Sequence, residues 1–341
     1  MKHLFMRVMA LMAIVLSLAG CGDKREQVHL SGSTMGTYYS IKYITQPGLP
    51  VSADVQAEID KRLELVNDQM STYRPDSELS RFNQHKSSEP FQVSAATAKV
   101  VREALRISEL SKGAYDVTVG PLVNLWSFGP EARPEQTPSE QDLAERRAEI
   151  GYQNLSVTDD NKLVKQIPGL YVDLSSIAKG YGVDVVAEYL QELGVVDYMV
   201  DVGGELRVKG TNLENVGWRI AIEKPLSNER AVQDIIQVGD NGIATSGDYR
   251  NYFEENGVRY SHLINPRTGK PIANHVVSVT VISPQSMTAD AYATTFSVMG
   301  EEESIALANK EKLPVLLIVK TEDGFKEYAS DTFAQYVTKK N

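Results

Sequence analysis

The sequence predicts an α+β fold, a single compact domain with antiparallel sheets packed by helices. Three observations carry that prediction. Helical and strand patterns alternate along the chain without internal repeats or low-complexity tracts. The pair Asn256-Gly257, between "NYFEE" and "VRYSHLI", is a strong hairpin signal, and hairpins build antiparallel sheets. The one segment imitating a dinucleotide fingerprint of a doubly wound sheet, Gly180-Tyr-Gly182, has Val185 at the third glycine position and falls inside a helical pattern. With 341 residues and 42% hydrophobic content, the chain can bury one large core or two modest ones, and its pattern reads as one body from about residue 29.

Before that body comes an export-type leader. Lys2 and Arg7 flank the start, and "VMALMAIVLSLAG" supplies an apolar stretch too short to span a membrane comfortably. The leader ends in Leu18-Ala19-Gly20-Cys21, which resembles the lipobox of bacterial lipoproteins. That predicts a signal peptide over 1–20, a lipid-modified Cys21 as the first mature residue, and a polar tether over 21–28. An ordinary signal peptide with a chance cysteine is the alternative. Cys21 is the only cysteine, so the body needs no disulfide. A lipid anchor on an exported chain predicts a location on the periplasmic side of the inner membrane.

Within the body, Ser52 is placed to cap a helix whose apolar positions Val55, Ile59, Leu63 and Val66 follow the 3.6-residue period. A second helix is predicted over 94–112 with Gly113 to stop it, a third over 139–150, and a fourth over 176–193 before Gly194. Strands are predicted in "YYSIKYI", "LYVDLS", "YMVDVG", "WRIAIEK", "HVVSVTVIS" and "LPVLLIVK", and 127–138 reads as a surface loop rich in Pro and Gly.

The formal charge of −10 argues against a nucleic-acid surface. Of only five histidines, His3 is in the leader and His29 adjoins the tether, which argues against a His/Cys transition-metal site. What stands out amid apolar sequence is carboxylates, hydroxyls and glycines, the ligand set of Mg²⁺ or Ca²⁺. In "TADAYATTF", a helix would put Asp290 and Thr294 one turn apart on one face, with small alanines between. That is half of a hard-cation site, unless Thr288 or Asp290 only caps the helix and Thr294 bonds back to a carbonyl.

Other clusters point the same way. "SGSTMGTYYS" puts glycines and hydroxyls at a strand entrance, and "KGAYDVTVGPL" closes the second helix with Tyr115 and Asp116. In "VDLSSIAKGYG" the free N–H groups of a helix start and Lys179 favour an anion such as phosphate. Gly203-Gly204 marks either a hairpin or a close approach of backbone to ligand. His262 in "SHLINP" reads as a satisfied structural residue or, beside a metal-phosphate site, as a general base.

Taken in order, Thr34-Met35-Gly36-Thr37, "MSTYRPDSELSRFN", "GAYDVTVGPLVNLWSFG", "VDLSSIAKGYGVD", "DVGGEL", "SHLINPRTGKP" and "TADAYATT" resemble the ApbE family, the FAD:protein FMN transferases. The resemblance covers nearly the whole mature chain and implies an ApbE-like, T-fold-like domain over 29–341. It implies Mg²⁺-dependent cleavage of FAD at its pyrophosphate, with FMN passing through its phosphate to a Thr or Ser hydroxyl of an acceptor protein and AMP leaving. Acceptors would carry a motif like Asp-x-x-Ser/Thr-Gly-Ala-Ser/Thr, as in subunits of the sodium-translocating NADH:quinone reductase (Nqr) and the related Rnf complex. It implies further that Asp290, Thr294 and a backbone oxygen at Ser176 hold the metal. Some family members carry a polar group where this chain has Ala293, so one ligand is missing or replaced by water.

By the same resemblance, Met35, Tyr73, Ala114, Tyr115, Asp116, Asp173, Lys179 and Ile264 contact FAD, and Tyr73 offers a stacking face for the isoalloxazine. His262 is the candidate base for the acceptor hydroxyl, with Asp290 beside it in catalysis. The segment Asp173–Ala178 imitates an acceptor motif, but Ile follows Ser176 where Gly is required, so self-modification there is rejected. Two other activities compete: an FAD pyrophosphatase in which water attacks, and a tethered flavin carrier without catalysis.

Overall fold

A computed structural model describes residues 25–130, 136–225, 232–247, 252–255 and 258–337. The predicted signal peptide and Cys21 lie outside them. The described chain opens with strands β1 (Gln27–Thr34) and β2 (Thr37–Ile44), so regular structure begins inside the stretch predicted as tether. Met35 and Gly36 close this hairpin, both at positive φ (50° and 70°), in the two-residue turn whose twist suits antiparallel strands.

Helix α1 (Ser52–Met70) buries Val55, Ile59, Leu63 and Val66 as its period requires. Ser52 is its first residue and not its cap. The cap position falls on Val51, whose side chain accepts nothing. Helix α2 (Glu78–Gln84) is capped by Ser77, and after β3 (Phe91–Gln92), α3 (Ala95–Leu110) is capped by Ser94. Lys112 and Gly113 take left-handed φ (53° and 77°), and the Gly113 N–H returns to the Ser108 carbonyl at 2.9 Å, closing α3 where the glycine predicts. Then come α4 (Gly120–Leu125) and α5 (Glu140–Arg147), the latter capped by Ser139 and shorter than its pattern suggests. The predicted loop over 127–138 has no regular structure in its described part, and residues 131–135 lie outside the described residues. β4 (Leu155–Val157) and β5 (Lys162–Lys165) join β3 in a small sheet.

Residues 170–175, predicted as a strand, are not one. The backbone of Val172 is bonded on both sides by one side chain: Asn83 Nδ2 donates to its carbonyl and Asn83 Oδ1 accepts its N–H, each at 2.8 Å. An amide side chain thus takes the place of a neighbouring strand. The segment leads into α6 (Ala178–Glu192). β6 (Tyr198–Val202) and β7 (Glu205–Lys209) form a second two-residue hairpin through Gly203 and Gly204 (φ 63° and 103°). β8 (Ile220–Glu223) pairs with β9 (Val232–Ile236). β10 (Gly242–Gly247) follows, then β11 (Tyr252–Glu255) and β12 (Val258–Ser261), which pair antiparallel as predicted around Asn256-Gly257, a turn outside the described residues. The small hairpin β13 (Ile264–Asn265) and β14 (Lys270–Pro271) precedes β15 (Val276–Ser283). The chain ends with α7 (Ser286–Met299), α8 (Glu301–Glu311), β16 (Val315–Thr321) and β17 (Gly324–Ala329).

Eight strands form one sheet in the order β1-β2-β6-β7-β10-β15-β16-β17, antiparallel at every pairing. Its centre is covered on both faces. In β16, Val315, Leu317 and Val319 belong to the core shared with α3, α7 and Leu307 and Ala308 of α8, whereas Leu316 and Ile318 belong to that of Ile220, Ile222 and Ile236 of the β8–β9 hairpin. Burial on both faces accounts for "VLLIV" being apolar without alternation. At the other end, α1 and α6 lie on β1, β2 and β6 around Tyr39, Ile41 and Val200.

Candidate active site

The site is built where α6 meets α7. Gly180 allows the contact: a Cβ there would stand 2.4 Å from the Ser286 carbonyl oxygen and 2.8 Å from Asp290 Cβ. Three hydrogen bonds to two carboxylates lock the helices together. Asp290 Oδ2 of α7 accepts the Gly180 N–H at 3.0 Å, and Asp184 of α6 accepts the N–H groups of Ser286 and Met287 at 3.0 and 2.9 Å. Neither helix has a side-chain cap of its own, so each N-terminus is capped by a carboxylate of the other. Asp184 is also paired with Arg207 of β7 at 2.8 Å.

Lys179, in the first turn of α6, places Nζ 2.5 Å from Glu205 Oε1 and 3.9 Å from Asp290 Oδ1. One ammonium thus faces two carboxyl groups. Asp290 is 5% exposed, and burial pushes its carboxyl above the ordinary range against the opposing pull of Lys179 and the Gly180 N–H. Glu205 is likewise raised, by burial first and the Asp290 charge second. Burial alone would lower Lys179, but the two carboxylates outweigh it and hold the ammonium charged well above neutral pH. Thr294 lies one turn beyond Asp290 on α7, and both line the same cleft.

That cleft, about 400 Å³, brings together almost every predicted residue of the body: Tyr73, Ala114, Tyr115, Asp116, Asp173, Ser176, Lys179, His262, Ile264, Asp290 and Thr294. Met35 lines a second cleft of about 900 Å³, which shares Tyr73, Asp173, Ser175 and Lys179 with the first. Gly182 gives Met35 its seat, because a Cβ there would come within 3.2 Å of Met35 Cε. The two glycines that imitate a dinucleotide fingerprint are therefore packing glycines, one under α7 and one under Met35.

The predicted residues differ in how free they are. Asp116 has its carboxylate occupied: Oδ1 accepts Thr118 N–H and Oγ–H, and Oδ2 accepts Tyr152 N–H at 2.9 Å, so it shapes the wall. Asp173 Oδ1 accepts the Ser175 N–H at 2.8 Å and orders the turn into α6. Ser176 Oγ donates to the buried Tyr115 hydroxyl at 3.0 Å. Since the Gly180 N–H goes to Asp290, it does not return to the Ser176 carbonyl one turn back. Tyr73, by contrast, is 69% exposed at the junction of the two clefts. His262 lies on the wall edge-on to Phe128, ring centroids 6.4 Å apart. Ala293 is buried in the core, its side chain offers no oxygen, and its carbonyl accepts the Ser297 hydroxyl at 2.9 Å.

Sequence reasoning missed Glu205, Thr245–Gly247 and Phe128, all of which line the cleft. Glu205 had a signal, a lone acid directly after Gly203-Gly204 at the head of an otherwise alternating strand. No three His, Cys, Asp or Glu side chains among the described residues group as a metal site. The donors at hand are carboxylate, hydroxyl and backbone oxygens, and Glu205 Oε2 is buried without a hydrogen-bond partner among the described residues. An all-oxygen set with surplus negative charge fits a hard cation such as Mg²⁺.

Comparison with known proteins identifies relatives of the whole chain. Residues 35–317 match the model of the ApbE family. Over 328 residues the chain is 62% identical to an FAD:protein FMN transferase of Vibrio cholerae, covering 96% of this chain and 98% of the relative. It is 49% identical over 340 residues to an FAD:protein FMN transferase of Haemophilus influenzae, covering 98% of each. Among solved structures, the flavin transferase ApbE from Vibrio cholerae aligns with a TM-score of 0.87 at 62% identity, over 92% of this chain and 99% of that one. The ApbE protein of Thermotoga maritima aligns with a TM-score of 0.81 at 28% identity, over 92% of this chain and all of the other (100%).

Proposed function

Because this chain belongs to the ApbE family, we propose that it is an FAD:protein FMN transferase that moves FMN from FAD to a Thr or Ser hydroxyl of an acceptor protein and releases AMP. The observation that carries this reading is the convergence, in one cleft, of Lys179, the Asp290–Thr294 pair and His262 beside the exposed ring of Tyr73. Phosphoryl transfer asks little covalent help of a protein and depends on positioning and on neutralising charge.

In this reading the Lys179 ammonium receives the pyrophosphate, and Tyr73 covers the flavin ring. Mg²⁺, when held by Asp290, Thr294 and the Ser176 carbonyl, supplies the positive charge that offsets the pyrophosphate. The acceptor oxygen attacks the phosphorus on the FMN side, His262 takes the hydroxyl proton, and the anhydride bond breaks so that AMP leaves with the bridging oxygen. Acceptors carry Asp-x-x-Ser/Thr-Gly-Ala-Ser/Thr, as in subunits of the Nqr and Rnf complexes. Cleavage before Cys21 and its acylation tether the body on the periplasmic side of the inner membrane. Among the described residues no helix is long and apolar enough to cross a membrane.

The test is incubation with FAD, Mg²⁺ and a soluble fragment bearing the acceptor motif, followed by intact-mass analysis. A metal-dependent FMN adduct on the acceptor, absent with Asp290→Asn, is the expected result. AMP without an adduct would replace the transferase by a pyrophosphatase, and bound FAD without either product would replace it by a carrier.

A further inference from the structure

We propose that Glu205 is a positioning residue that holds the Lys179 ammonium away from Asp290 and so keeps the Asp290 carboxylate open to a divalent cation. The inference rests on the reading that Asp290 belongs to the metal site.

The geometry carries it in three steps. Lys179 Nζ is in contact with Glu205 Oε1 at 2.5 Å but stops 3.9 Å short of Asp290 Oδ1, outside hydrogen-bond distance. Glu205 is fixed by backbone and not by its own rotamer alone. The Gly203-Gly204 turn sets it as the first residue of β7, paired with Val202, and the Gly204 N–H is tied to Asp201 Oδ1 at 2.9 Å. Gly203 has no room for a side chain, since a Cβ would stand 2.8 Å from Thr37 Cγ2. Finally, Asp290 is the one other carboxylate within ion-pairing distance of Lys179 among the described residues. If Glu205 loses its charge, the ammonium closes on Asp290 and competes with the cation for Oδ1.

Direct ligation by Glu205, or a general effect of its charge, would also make it favour metal binding. A double-mutant cycle separates these from the proposal, because an effect that runs through Lys179 vanishes when Lys179 is removed. Mg²⁺ affinity of the purified protein without FAD would be measured by calorimetry for wild type, Glu205→Gln, Lys179→Met and the double variant. Glu205→Gln is expected to weaken binding about tenfold, within the range of coupling between contacting residues. Lys179→Met is expected to tighten it, and Glu205→Gln to change nothing further in the Lys179→Met background. The same loss in both backgrounds, or no loss in either, would overturn the proposal. An Asp290→Asn arm guards the premise: undiminished Mg²⁺ binding there would overturn the metal reading and this inference together, whereas abolished binding leaves the cycle to decide on Glu205 alone.

Discussion

Gly180→Ala sets two physical effects against each other, and the structure decides the sign. By helix propensity alone, alanine inside α6 stabilises by about 1 kcal/mol. The new Cβ, however, would lie 2.4 Å from the Ser286 carbonyl oxygen and 2.7 Å from its carbon, both backbone atoms that cannot rotate away. Restoring ordinary van der Waals separation requires α7 to withdraw by about 1 Å, at an overpacking cost of about 1–3 kcal/mol. The same withdrawal stretches the Gly180 N–H bond to Asp290 past its useful length, and a hydrogen bond to a charged group contributes about 1.5–3 kcal/mol. The net expectation is a destabilisation of about 1.5–5 kcal/mol, read as a Tm lowered by about 2 °C per kcal/mol in a chain of this size. Gly182→Ala is the control. Its Cβ meets only the flexible end of Met35 at 3.2 Å and Leu63 at 3.5 Å, so its stability stays within about 1 kcal/mol of wild type. Urea and thermal unfolding measure both. A Gly180→Ala protein as stable as wild type, or more so, would refute the view that close approach of α6 and α7 places Asp290.

Two further outcomes follow from groups outside the cleft. Lys165 is fully buried, donates to the carbonyls of Phe82 and Leu170 at 3.0 and 3.2 Å, and has its pKa lowered by burial, and secondarily by Lys86, to about 8. Between pH 8 and the ordinary lysine value the unfolded chain binds the extra proton, so wild type should gain stability relative to Lys165→Met as pH rises, by at most about 1.4 kcal/mol per pH unit. Urea titrations at several pH values check this, and a difference that is flat or falls across the window would show that Lys165 stays charged in the fold. For the anchor, Cys21→Ser should abolish labelling by radioactive palmitate and leave an uncleaved precursor of full mass. A wild-type protein that is cleaved yet unlabelled would leave an ordinary signal peptide.

What the sequence disclosed and what it hid divide along the distance over which each signal acts. The helix at 52–70 and the stop at Gly113 are local signals, a 3.6-residue period and a residue that tolerates positive φ, and both are legible without the fold. The strand predicted at 170–175 fails because its backbone partner is the side chain of Asn83, 89 residues away, and periodicity carries no information about that. Capping shows the same limit more sharply. Thr288 and Asp290 read as candidate caps, yet α7 begins earlier, at Ser286, and takes its cap from Asp184, while Asp290 caps α6 instead.

The exchange of caps also explains why one short segment holds both packing and chemistry. A carboxylate that closes the neighbouring helix through Oδ2 is fixed in direction, and its Oδ1 is then presented, 3.9 Å from an ammonium, to whatever enters the cleft. Gly180 serves both ends of that arrangement, since the same missing side chain lets α7 approach and leaves its N–H in line with Asp290. Glycines, two-residue turns and acids at helix ends are therefore where this sequence signalled its site. The identity of each acid's partner, set by strand order and helix contact, became visible only in the fold.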